Sequence, residues 1–160
     1  MSSPFSERSP TLALLPIRLA AGYELLLLGL GHTAAGWLTQ PQLGTHAASW
    51  RIAGRGLSAL APLLGHVAAH GQAYSRLVCV TELLAGAALV LGLFSRVMAL
   101  VPLFGIVFLR LVAGEALSDG PLLLLGAALG SLAWAGAGRV LGLDGLLRER
   151  LPGWLRWLCD

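Results

Sequence analysis

Four long apolar runs constrain this chain more than any other feature. They are Leu12–Leu30, Leu77–Leu93, Val97–Ala113 and Pro121–Ala137, each 17–19 residues long. A helix rises about 1.5 Å per residue, and about 20 residues cross a hydrocarbon core about 30 Å thick. Four such runs within 160 residues predict an all-α fold: an integral membrane four-helix bundle forming a single domain over residues 1–160. Composition agrees. Apolar residues make up 56% of the chain and charged ones 12%, where a soluble domain carries about 25% charged residues. Mean hydropathy is +0.76. The first run exceeds the ~7–15 residues of a signal-peptide core, so it is expected to stay as an anchor helix.

The connections set the topology. Phe94-Ser95-Arg96 is short enough to make the second and third spans a tight antiparallel hairpin, and Gly114–Gly120 joins the third to the fourth. Pro16 and Pro121 fall in first turns, where a missing N–H costs little, whereas Pro102 is expected to kink its helix. The long connection, Gly31–Gln72, contains the apolar stretch Gly56–Ala69 with Pro62 inside it. It is expected to lie on the outer face as one or two short helices. The tail after Asp144 places Leu146, Leu147, Leu151, Trp154, Leu155 and Leu158 against Arg148, Glu149, Arg150 and Arg156. That pattern predicts an interfacial amphipathic helix over 144–158.

All eleven basic residues are Arg. Arg8, Arg96, Arg139, Arg148, Arg150 and Arg156 fall on the side of both termini, against Arg51, Arg55 and Arg110 on the other, with Arg76 at the border. The excess predicts both termini in the cytoplasm of a multi-pass protein of a bacterial cytoplasmic (inner) membrane. The Arg residues sit at the ends of apolar runs and form no nucleic-acid patch. Cys79 and Cys159 belong to no CxxC or Cys/His cluster, so neither a disulfide framework nor a metal site is expected.

Ionisable residues inside the spans are the informative exceptions. Arg18 and Glu24 lie on the first run and Glu82 on the second, with His32 and Arg76 near the outer boundary. From the ends of the runs, Glu24 is about 9 Å deep and Glu82 about 8–14 Å deep. The two carboxyls are therefore expected at one level, sharing a polar pocket open to the outer side if both face inward. Carboxyls that close repel when both are ionised, so one holds a proton unless an Arg compensates. Such a group suits quinol oxidation or proton-coupled transport. The alternative is a structural clamp, with either Glu bonded to Arg76, Tyr23 or backbone. His66 and His70, spaced i, i+4, lack a third ligand in sequence and read as interfacial polar residues. A Gly126-x-x-x-Gly130 face on the fourth run suits close helix packing.

Three blocks carry a family resemblance. The first span opens Ile17-Arg18-Leu-Ala-Ala-Gly22. The second reads Glu82-x3-Gly86-x5-Gly92-Leu-Phe-Ser-Arg96. The fourth is followed by Gly136-Ala-Gly138-Arg139 and Leu143-Asp144. Together they resemble the DoxX/DoxD family of small four-helix bacterial membrane proteins, over Ile17 to about Leu147. The resemblance implies a subunit of a quinone-linked complex, respiratory or sulfur-oxidising, such as a quinol oxidase or a thiosulfate:quinone oxidoreductase. It marks Gly22, Gly86, Gly92, Arg96, Gly138, Arg139 and Asp144 as pattern positions, with Arg96 and Arg139 as cytoplasmic-end anchors. Asp144 is expected to cap the first turn of the tail helix.

The expected function follows: an oxidoreductase subunit working with a partner, binding quinone or quinol (or lipid) at Arg18, Glu24, Glu82, Arg76 and His32. The sequence holds no constellation for a metal or flavin, so electrons would pass to another subunit. The alternative is a non-catalytic structural or assembly subunit, touching other membrane subunits through residues 31–72 and the tail. A small proton-coupled exporter is disfavoured by the long outer segment and the Arg bias. The expected partners are membrane lipids and other membrane proteins, not nucleic acid.

Overall fold

The computed structural model describes residues 14–54, 58–113, 120–135 and 143–144. Its described residues are all helical, without strands. In chain order they form α1 (Leu14–Ala34), α2 (Gln42–Ile52), a 3-10 turn (Ser58–Leu60), α3 (Ala61–Ala69), α4 (Gly71–Leu91), α5 (Ser95–Ala113) and α6 (Gly120–Ala135). The segment between α1 and α4 thus supplies two short helices. Pro62 sits in the first turn of α3, where its missing N–H has no helical acceptor to satisfy.

Two helices, α1 and α4, are long and apolar enough to cross a membrane. Both run further on one side than their apolar runs. The extra turns contain His32 and Thr33 at the end of α1, and Gly71–Arg76 at the start of α4. Their polar groups find partners in place. Thr33 Oγ1 donates to Gly29 O at 2.8 Å, Ser75 Oγ donates to Gly71 O at 2.8 Å, and Arg76 Nε donates to Leu38 O at 2.7 Å. Satisfied polar side chains let a helix continue where hydropathy alone ends it.

The four longer helices pack in a closed order: α1 on α4, α4 on α5, α5 on α6, and α6 back on α1. Their shared core holds Ala21, Leu25, Leu89, Ala99, Leu129 and Leu132 among others. The α1–α4 crossing is the closest. A Cβ on Gly86 would lie 2.8 Å from Gly22 O, and one on Gly22 would lie 3.0 Å from Gly86 O. Backbones therefore touch, and only glycine fits on either side. Gly126 and Gly130, the small-residue pair expected to mark close packing, have only Leu103 side-chain atoms at ordinary contact distance.

A second core lies at the far end. There α2 and α3 pack on each other and α2 packs on α4, burying Leu43, Ala47, Leu64 and Val67 beneath Trp37, Trp50 and Tyr74. Gly44 and Gly71 abut here through their Cα atoms, and Ser75 Oγ accepts the Leu43 N–H at 2.8 Å.

The opposite end is closed by polar contacts. Gly92 ends α4 in the left-handed conformation (φ 67°), and Phe94 follows with φ 47°, unusual for a residue with a side chain. Asp144 holds this turn. Its Oδ1 accepts the Phe94 N–H at 2.6 Å and its Oδ2 the Ser95 N–H at 3.1 Å. Its own N–H donates to Gly92 O at 2.9 Å. Asp144 therefore caps α5 from about fifty residues away; the tail helix it is expected to cap lies outside the described residues. The first-turn amides of a 19-residue helix attract a carboxylate wherever the chain delivers one. Arg96 binds the other helix end, its Nε donating to Ala133 O at 3.1 Å and its Nη2 to Trp134 O at 3.3 Å. The α5 helix runs unbroken through Pro102. Gly138, Arg139 and the tail pattern of 145–158 lie outside the described residues.

Candidate functional site

Where α1 leaves the bundle, His32 occupies its last turn and turns toward α4. His32 Nδ1 and Glu82 Oε2 are 2.6 Å apart. With Glu82 ionised, the bond is Nδ1–H donating to the carboxylate. That fixes the tautomer and leaves Nε2 as the second, chemically available nitrogen. Glu82 is 15% exposed and His32 28%. The carboxylate is thus largely covered while the imidazole remains reachable.

The surroundings are aromatic. The Trp37 ring lies 4.1 Å from the His32 ring, centroid to centroid, at 30°. The series continues outward through His46, 6.4 Å from Trp37, and Trp50, stacked 5.9 Å from His46. The turn that brings Trp37 back over His32 is closed by the Trp37 N–H donating to His32 O at 3.0 Å. One turn toward the start of α4, Thr33 Oγ1 and the buried Cys79 Sγ are 3.1 Å apart.

The residues nominated from sequence separate into three places. His32 and Glu82 come together. Arg76 sits beyond them, binding the Leu38 carbonyl. Arg18 is buried at the opposite end of α1, where the Asp144 carboxylate attracts it electrostatically. Glu24 is exposed on the outward side of α1, so the structure does not bring Glu24 and Glu82 into one pocket. Nor do they share a level: Glu82 meets His32 in the last turn of α1, eight residues and about 12 Å along the helix from Glu24. Glu24 is two residues, about 200° of helical turn, from Gly22, which faces α4. The line Arg18, Gly22, Leu25, Gly29 is the buried face, and its small residues were the sequence signal for it.

Trp37 and His46 were not nominated, because an aromatic stack across a turn leaves no periodic trace. His66 and His70 also stand together on α3, ring centroids 4.4 Å apart. His70 Nδ1 is 3.1 Å from the His66 carbonyl. No group of three or more His, Cys, Asp or Glu that could hold a metal ion occurs among the described residues.

As chemistry, a His–carboxylate pair of this geometry is the arrangement of a general base. An imidazole oriented by a carboxylate takes a proton at its free nitrogen, and the carboxylate stabilises the resulting cation. Comparison with protein-family models, curated proteins and solved structures gave no match.

Proposed function

We propose that this chain is a four-span protein of the bacterial cytoplasmic membrane, with both termini inside, and a DoxX-like subunit of a quinone-linked redox complex. The observation that carries the reading is the His32–Glu82 pair, joined at 2.6 Å between two apolar helices and roofed by Trp37. Ionisable pairs at such positions mark proton or substrate routes.

Four spans are supported by more than α1 and α4. The α5 helix has 19 residues and the apolar α6 helix 16. All four helices turn large apolar side chains outward: Leu27, Leu84, Phe104 at 71% exposure, and Leu124 at 70%. A soluble monomer does not surround its core with such a surface, whereas lipid takes it without cost.

The chemistry follows from the dyad. Oxidising a hydroquinone releases two protons and two electrons. His32 Nε2 accepts one hydroxyl proton while Nδ1 keeps its own proton, donated to the Glu82 carboxylate, whose charge balances the new cation. The second proton leaves to the outer water. The two electrons would pass to a redox-active partner protein, since this chain offers no constellation of its own to hold them. The flat rings of Trp37 and His46 suit a planar aromatic head group. The second core, built on α2 and α3, is the surface on which such a partner would sit.

Quantifying quinones extracted from the detergent-purified protein tests this. The wild type is expected to carry bound quinone, and Glu82→Gln about tenfold less. Gln is isosteric and still accepts the His32 N–H, so it keeps the helix contact while removing the charge. Equal quinone in both, or none in either, would assign the pair to clamping α1 on α4 instead.

A further inference from the structure

Glu24 is the most anomalous side chain on the surface. It is the eleventh residue of the 21-residue α1, about 15 Å from either end. It is exposed, and no described residue hydrogen-bonds or pairs with it. Intramembrane carboxyls face a bundle interior or a partner, and among the described residues Glu24 does neither.

The face around it has a second property. Ala20, Tyr23, Leu27, Leu30 and Ala34 recur at alternating steps of three and four residues, and all are exposed. That is the 3.5-residue period of a left-handed helix pair, with Ala20, Leu27 and Ala34 at a and Tyr23 and Leu30 at d. The opposite face of α1, through Gly22 and Gly29, is already used against α4. We infer that this exposed seam is where a second copy of the chain docks, two α1 helices packing in parallel about a two-fold axis along the membrane normal.

The occupant follows from complementarity. In a parallel pair, a d side chain inserts among two a residues, one d and one e of the facing helix. Tyr23 then enters a hole walled by the partner's Glu24, which occupies e. Its O–H donates to that carboxyl, and the two-fold axis repeats the bond in reverse. Donor and acceptor are on the same chain, at the same depth, in positions that meet only under this symmetry. The small Ala20 and Ala34 let the backbones approach at both ends of the contact. Within the apolar run 77–91, the exposed side of α4 offers no such group, presenting Leu77, Val80, Leu84 and Leu91.

The inference rests on the reading that α1 spans the bilayer. Oxidative cross-linking of the full chain in native membranes tests it, in a Cys159→Ser background; Cys79 is fully buried. Leu27→Cys is expected to give a disulfide-linked dimer and Leu84→Cys none. Adding Tyr23→Phe to Leu27→Cys should lower the linked fraction about threefold, the size of an interhelical hydrogen bond in lipid. Glu24→Gln, which still accepts from Tyr23, should keep it. Recovery in the membrane fraction with Leu27→Cys linking no better than Leu84→Cys overturns the pairing and leaves the spans intact. Linkage of Leu27→Cys to a protein of different mass also overturns it. Absence from the membrane fraction overturns the span reading itself, and this inference with it.

Discussion

The Asp144 carboxylate accepts the backbone N–H of Phe94 at 2.6 Å, fixing a residue nine positions beyond the end of α6 to the turn before α5. The same carboxylate attracts Arg18, and both side chains are 1% exposed. One acidic residue therefore ties α1, α5 and the chain beyond α6 together. Asp144→Ala leaves two amides uncapped and removes a carboxylate that attracts the buried Arg18. It should cost about 3 kcal/mol, measured by denaturant unfolding in detergent. Asp144→Asn keeps one acceptor and should fall between. A loss under about 0.5 kcal/mol for Asp144→Ala would show that the cap does not hold the bundle.

The α1–α4 crossing makes a sharper contrast. Gly86→Ala would push a methyl to 2.8 Å from Gly22 O and should destabilise by about 1–3 kcal/mol. Gly126→Ala meets only a Leu103 methyl at 3.8 Å and should change stability by less than about 0.5 kcal/mol. Thermal unfolding of the two variants side by side checks this.

The helices were legible because an apolar run of 17–19 residues has few other ways to hide its backbone polar groups. Their ends were not. The apolar runs stop short of His32, Thr33 and Ser75, yet each is satisfied inside its helix or across to α4. The site was half legible. Both His32 and Glu82 stood out as ionisable groups at an apolar boundary, but Glu82 was matched with Glu24 on depth alone. In a helix apolar on every side, hydropathy gives no direction. Only the Gly22 and Gly29 spacing carried it. The role of Asp144 was hidden for another reason: a cap delivered from fifty residues away has no local signature.

Orientation has a direct check. Thr45 is exposed on α2, at the end opposite the 92–95 turn. With both termini inside, Thr45→Cys reacts with a membrane-impermeant maleimide on intact cells, while Cys159 reacts only after permeabilisation. Reversed labelling would invert the protein in the membrane.

The central claim is that His32 and Glu82 form a quinol-binding, proton-accepting pair. It is tested most directly by equilibrium binding of a short-chain hydroquinone analogue to the purified protein in lipid. Wild type and Glu24→Gln should bind equally, since Glu24 lies on the outward face of α1. Glu82→Gln and His32→Phe should each bind at least about tenfold more weakly, about 1.4 kcal/mol. Four equal affinities would contradict the account.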